Sequence, residues 1–347
     1  QKTEKMSPQR IRNIVLPLCA VLLAASCSTT RRLGSDEVLY TGVKKILIEP
    51  DSGVVLTPAA ESAVKEPLSV APNNPLYSPY VRTPLPIGLW AYNYLYTPRE
   101  KGFKYWFYKR LAKEPVLISK VQPSLRAKVA EQALENHGYF GSRAADTLLY
   151  RKRGRKARVS YRLRVAPPWH YEGIAYPTAG GALQPLLDSL RSTSLLREGA
   201  QYNLDTLTLE RRRMAQSLRE RGYYYFRPEY LEYQADTTLS PRGVALRLNL
   251  KSDAPAVALK PYRVGKVTVR LTDPKPGRPD TLRLRGAEVI AQRPMRIRPR
   301  LLSRALTLER GELFTVGAQD RTLTNLNKLG VFRSVSLNVA PVDSLRG

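Results

Sequence analysis

Three stretches of the chain, residues 124–141, 203–227 and 315–339, carry one succession of apolar and polar positions. Each opens on Ser124, Asn203 or Thr315, side chains able to cap a helix, and continues with helical spacing. Each then halts at a glycine followed by large apolar residues: Gly138-Tyr139-Phe140, Gly222-Tyr223-Tyr224 and Gly330-Val331-Phe332. Glycine suits the left-handed residue that ends a helix, and the apolar residue beyond it folds back onto the last turn. In the third stretch Leu323, Leu326 and Leu329 lie three apart on one stripe. Arg333-Ser334-Val335-Ser336-Leu337-Asn338-Val339 then alternates, as a half-buried strand does. The halting glycines are 84 and 108 residues apart, so a helix–stop–strand unit recurs without a fixed period.

The intervening pattern supplies the other elements. Residues 38–48 read as a first strand, and residues 50–71, rich in Ala, Ser and Pro, as a loop. Ser62-Ala63-Val64-Lys65 matches the Ser-x-x-Lys spacing of acylases but has no companion motif, so no catalytic role is assigned. Residues 72–118 are broken by prolines and crowded with rings, among them Trp90, Tyr94, Tyr105 and Trp106 beside Lys101, Lys104, Lys109 and Arg110. Such rings either pack the insertion onto its own domain, sit at a lipid headgroup interface, or stack on single-stranded bases. The first repeated helix takes its stripe from Val129, Ala130, Ala133 and Leu134. Strands at 144–150 and 159–165 flank a basic hairpin tip, Arg151-Lys152-Arg153-Gly154-Arg155-Lys156. A second set comprises strand 169–176, helices 184–191 and 204–221, and strands 227–234 and 244–250, with Arg211-Arg212-Arg213 mostly on the wet helix face. Strand 262–271, a Pro- and Gly-rich loop, helix 298–307, the third repeated helix and strand 333–339 complete the chain. No return strand follows, so the sequence reads as a fragment cut in or just after a repeated domain.

Charge and cysteines narrow the setting. The net charge is +28 over 347 residues, and the first 26 residues, with four Lys or Arg and one Glu, account for only three of it. Such a chain attracts polyanions, whether nucleic acid or a phosphate-bearing membrane surface. The only cysteines, Cys19 and Cys27, lie near the start, so no disulfide framework or Cys-rich zinc site is expected. Two histidines make a protein-only transition-metal site improbable, and no cofactor is implied. With Met6 as the start, basic Arg10 and Arg12 precede an apolar run over 14–25, then Ala24-Ala25-Ser26 and Cys27. This resembles a bacterial lipoprotein signal in which Cys27 is lipidated, although Leu23 sits four rather than three places before it. An ordinary secretory signal with an incidental cysteine is the alternative. Residues 27–37 then read as a tether.

The ordered set of motifs resembles the polypeptide-transport-associated (POTRA) domains of the BamA/TamA superfamily, and within it the lipidated TamL-like branch. The residues that carry the resemblance are Cys27, Pro72-Asn73, Ile87-Gly88-Leu89-Trp90-Ala91-Tyr92-Asn93, Glu114-Pro115-Val116 and Asn136-His137-Gly138-Tyr139-Phe140, followed by Gly311-Glu312-Leu313-Phe314-Thr315 and Leu326-Asn327-Lys328-Leu329-Gly330-Val331-Phe332. The resemblance implies an α+β fold of tandem β-α-α-β-β domains, each a small mixed sheet with two helices on one face. They span 38–166 (with the aromatic insertion at 72–118), 167–252 and 261–347, the last truncated before its final strand. The family's C-terminal barrel has no counterpart here. The resemblance further implies a non-enzymatic arm, outer-membrane-anchored through Cys27 and facing the periplasm. Its partners would be unfolded outer-membrane proteins, periplasmic or inner-membrane subunits, and outer-membrane lipid. Extended clients would add to sheet edges. By resemblance the docking edges are 144–150 (Ala144, Leu148, Tyr150), 227–233 (Arg227, Tyr230, Glu232, Tyr233) and 333–339 (Arg333, Val335, Leu337). Those edges could equally be solvated or covered. The alternatives are a free-standing POTRA-like adaptor lipoprotein without a barrel and a basic aromatic nucleic-acid-binding protein. An export signal disfavours the last, and no nucleic acid is expected as a partner.

Overall fold

The computed structural model describes residues 28–73, 86–98, 101–178, 180–272, 278–284, 286–293 and 297–342. Cys27 and the leader lie outside them. The chain divides into two compact units, 1–169 and 170–347.

The first unit is built from β1 (Leu39–Pro50), α1 (Pro58–Leu68), α2 (Ile87–Tyr94), α3 (Phe103–Leu111), α4 (Ile118–Val121), α5 (Pro123–Asn136), β2 (Arg143–Arg151) and β3 (Lys156–Val165). The sheet order is β1-β3-β2, with β1 parallel and β2 antiparallel to the central β3. Along β3 every second residue, Ala157, Val159, Tyr161, Leu163 and Val165, is buried, and the last four share one core with the α1–α5 pair. The segment 50–71 is therefore not all loop. Thr57 caps α1 by accepting from the Ala60 amide, and Pro58 takes the first helical position, where its missing N–H costs nothing. Ser62 and Lys65 lie on this helix, and Lys65 pairs with Glu61. The α5 stripe is Ala127, Ala130 and Leu134; Val129 lies on the outer face. Nor does Ser124 cap α5, which starts at Pro123 after Gln122 in a left-handed conformation. The basic hairpin tip stands as expected, with Lys152, Arg153 and Gly154 at positive φ. Residues 28–36 are bound rather than loose: Ser28–Thr30 is one 3-10 turn, and Thr29 and Leu33 are buried.

The second unit holds two further sheets. β4 (His170–Ala175), α6 (Gln184–Arg191), α7 (Leu204–Arg219), β5 (Leu231–Asp236) and β6 (Gly243–Leu250) repeat the first sheet's order as β4-β6-β5. Asn203 caps α7 by accepting from the Asp205 and Thr206 amides. Of the three consecutive arginines only Arg212 is fully wet. Arg213 folds onto Glu210, and Arg211 donates to the Leu231 carbonyl at 3.3 Å.

The third sheet departs from the expected route. β7 (Val267–Arg270), β8 (Arg278–Leu284) and β9 (Ala287–Arg293) come first, and α8 (Pro299–Ala305) and α9 (Val316–Lys328) follow. The order β7-β9-β8 matches the other sheets, with β7 parallel to β9, but the hairpin precedes the helices. The place expected to be vacant beside the first strand is thus filled by β9. Residues 333–339, expected as a strand, pair with no strand among the described residues. Val335, Leu337 and Val339 are half-buried and, with Lys266–Thr272 opposite, line a cavity of about 650 Å³.

All three halting glycines take the left-handed conformation, but only the first two are followed by a residue that folds back, since Val331 after Gly330 is 60% exposed. Gly138, Gly222 and Gly330 have φ of 87°, 94° and 66°. The amides of Tyr139 and Tyr223 reach back to the Leu134 and Leu218 carbonyls, at 2.9 and 3.1 Å, and both rings are buried.

Candidate functional site: open sheet edges

In each sheet an antiparallel bridge covers the start of the first strand or the segment just before it. The bridges are Leu39–Leu117, His170–Gln201 and Arg263–Leu313, and each closing residue lies shortly before the long helix. The Tyr40 amide donates to the Val116 carbonyl at 2.8 Å, and Asn73 donates to the Tyr40 carbonyl. The Tyr171 amide likewise donates to Ala200 at 2.9 Å, and the Val264 amide to Glu312 at 2.8 Å.

The opposite edge of each sheet, formed by β2, β5 and β8, pairs with no further strand among the described residues. On β2 the Ala144 amide points away from β3 and is taken by the Glu131 carboxylate at 3.0 Å. Antiparallel alternation then turns the Asp146, Leu148 and Tyr150 amides outward as well. Leu148 packs partly on the core, Tyr150 is 57% exposed, and Arg143 and Arg151 guard the two ends of the strand. On β5 the Lys251 amide donates to the Tyr230 carbonyl at 2.8 Å. This register turns Glu232 into the sheet and the Tyr233 and Ala235 amides outward.

The expected edge residues are therefore unequal. Arg227 and Tyr230 precede the strand, because Pro228–Tyr230 forms a 3-10 turn and the Tyr230 ring meets Phe226 edge to face at 5.8 Å. Tyr233 aims its ring inward, and burial and the nearby Glu210 carboxylate push its hydroxyl well above the usual tyrosine value. Arg333, Val335 and Leu337 belong to no strand, and β8 holds the third sheet's outer place. Pro and Gly around 274–286 mask the alternation of Thr281-Leu282-Arg283-Leu284 in the sequence, so periodicity does not disclose that edge.

The glycine halts also seat the segments that follow them. The Trp169 amide donates to the Gly138 carbonyl at 2.9 Å, and its ring meets Phe140 edge to face at 5.3 Å. In the second unit Tyr262 donates to the Gly222 carbonyl at 2.8 Å, and its ring meets Tyr225 at 5.3 Å.

Of the insertion's rings, Trp90 and Tyr105 are half-buried, whereas Tyr94 and Trp106 are exposed. Among the described residues no group of three His, Cys, Asp or Glu could hold a metal, and no helix is long and apolar enough to cross a membrane.

No family model and no curated protein matches the chain. Among solved structures it is similar to POTRA domains 3–5 of BamA from Haemophilus influenzae, at 10% identity and a TM-score of 0.41, over 90% of this chain and 94% of that one. POTRA domains 1–3 of the periplasmic domain of Omp85 from Anabaena match at 15% identity and a TM-score of 0.27, over 90% and 92%. The N-terminal domain of Omp85 from Thermosynechococcus elongatus matches at 14% and 0.25, over 90% and 94%.

Proposed function

We propose that this chain is the periplasmic arm of an outer-membrane protein assembly or translocation factor, anchored by lipid at Cys27. It receives extended segments of unfolded outer-membrane proteins as added strands on the outer edges of β2 and β5. The observation that carries this is the recurrent sheet, covered at the start of its first strand and open along its outer one. Main-chain hydrogen bonds at such an edge bind extended peptide with little demand on its sequence, as varied unfolded clients require. The family motifs in the sequence support the reading. Periplasmic or inner-membrane subunits are the further partners it implies, and scaffolding rather than catalysis is its work. The same edges would serve a free-standing adaptor lipoprotein.

The test is a pair of prolines at exposed positions whose amides face outward, Tyr150→Pro and Ala235→Pro. Each deletes a donor at the docking edge and leaves the internal ladder intact. Crosslinking to an unfolded barrel-strand peptide is expected to fall several-fold while the circular dichroism spectrum is unchanged. Wild-type capture by the folded double variant would rule out both edges.

A further inference from the structure

The hairpin of α2 and α3 is built unlike the rest of the molecule. None of the nine residues of α3 is buried. Phe103 is 78% exposed and Trp106 57%, yet the two rings stack 6.2 Å apart and Phe107 closes on both edge to face. A cluster of that size left in water forgoes the gain from burying large rings, which marks a surface that is covered when the protein works. Four cations, Lys101, Lys104, Lys109 and Arg110, surround it, all exposed, and residues 101–111 contain no Asp or Glu.

The hairpin is held firmly in spite of its exposure. Tyr108 packs between Tyr92 and Tyr96, at 6.5 and 5.6 Å, and the Lys113 amide donates to the Gly88 carbonyl at 3.1 Å. Gly88 permits that approach, since a Cβ there would lie 2.8 Å from the Lys113 side chain. The segment that follows Cys27 is fastened to the same helix. Buried Asn93 donates to the Thr29 carbonyl at 3.2 Å and accepts from the Arg32 amide at 3.0 Å. Arg32 lies 3.5 Å over the Tyr96 ring, and Arg31 lies 5.8 Å from the centre of Tyr94.

We infer that the α2–α3 hairpin is a foot that seats the first unit on an anionic lipid bilayer. Phe103 and Trp106 enter the boundary between headgroups and acyl chains, and the surrounding lysines and arginines meet lipid phosphates. Aromatic rings ringed by cations fit that layered chemistry better than an apolar protein groove, which would leave the cations unpaired. The foot's orientation rests on the proposed anchor, because a lipid on Cys27 would enter the bilayer beside α2. Its affinity for the surface does not.

The test uses the full chain carrying Cys27→Ser, so that no acyl group contributes. It is mixed with phosphatidylethanolamine–phosphatidylglycerol vesicles whose acyl chains are brominated. Tryptophan emission is expected to shift to the blue and be quenched, and Trp106→Phe is expected to remove most of the quenching while binding persists. Phe103→Ala with Trp106→Ala is expected to lower partitioning about tenfold, as does replacing the anionic lipid by phosphatidylcholine. Overturning results are a Trp106 that stays open to aqueous iodide in the vesicle-bound chain, partitioning unchanged in the double variant, or quenching by a single-stranded oligonucleotide in place of vesicles. Peptide capture is measured on the same double variant. Lost partitioning with intact capture isolates the foot, and the reverse would overturn the foot while leaving the strand edges to their own test.

Discussion

Glu210 on α7 gives the sharpest stability prediction. Its side chain is 0% exposed, and its two oxygens gather four donors. Oε1 accepts from Ser194 Oγ at 3.0 Å and Arg213 Nη2 at 2.7 Å, and Oε2 accepts from the Leu195 amide at 3.0 Å and Arg213 Nε at 2.7 Å. Burial alone would push this carboxyl up, but the hydrogen bonds from Arg213, Leu195 and Ser194 outweigh it and hold it below the usual carboxylate range. Arg213 also donates to Thr193 Oγ1 and the Leu190 carbonyl, so one ion pair gathers the α6–α7 connection onto α7.

Glu210→Gln keeps the volume and loses the charge. Both oxygens face guanidinium donors, so either orientation of the amide sets a donor against a donor. Losing one charge-assisted bond and leaving a buried donor unpaired costs about 3 kcal/mol. At roughly 2–4 °C per kcal/mol for a unit of this size, the melting transition of residues 170–347 should fall by about 6–12 °C at pH 7. Calorimetry of the wild type and the variant measures it. The sign with pH follows from the lowered folded value. The wild type's advantage is present above the unfolded carboxyl's titration, near pH 4.3, and is lost as pH falls through the folded value. A shift below about 1 °C at pH 7, or a gap that widens on acidification, would refute the reasoning.

Three further outcomes are expected. Gly222→Ala must hold φ at 94° and place a Cβ 2.7 Å from Leu313 Cδ1, whereas Gly141→Ala, at φ 80°, meets open space. Urea titration should show the first costing more than the second, which loses only about 1 kcal/mol. Tyr139→Phe removes a hydroxyl that accepts from the Thr57 amide at 3.1 Å and donates to the Val55 carbonyl at 3.2 Å; thermal melts should show unit one weakened by about 1 kcal/mol. The Tyr161 hydroxyl makes no hydrogen bond among the described residues, and burial pushes it up to about 12. Its contribution is therefore complete below the ordinary tyrosine value near 10 and declines as pH rises from there toward 12. Tyr161→Phe should leave neutral-pH stability within about 0.5 kcal/mol and move alkaline unfolding of unit one to higher pH, read by circular dichroism.

How much was legible depended on how local the signal is. The first two glycine halts, the basic hairpin tip and the alternating central strands β3 and β6 follow from nearest-neighbour chemistry, and their residues stand as the pattern requires. Helix α1 was hidden because Pro58 and Pro67 read as breakers, although Pro58 starts the helix and Pro67 lies in its last turn. Residues 333–339 alternate like a strand but find no strand partner among the described residues, since β8 already holds the outer place beside β9. Which of two alternating segments wins that place is a tertiary matter that periodicity does not decide. The proposed docking edge shows the same limit. The family resemblance points to the strands that become β2 and β5, but only the register shows that Tyr150 and Ala235 present outward amides while Glu232 does not.

The claim that extended clients join these sheets as strands is tested most directly by amide hydrogen exchange, residue by residue, with and without an unfolded barrel-strand peptide. The amides of Asp146, Leu148, Tyr150, Tyr233 and Ala235 should slow on peptide binding, while their inward-facing neighbours, already bonded in the ladder, change little. Peptide binding that leaves these five amides exchanging as before would contradict strand addition at β2 and β5.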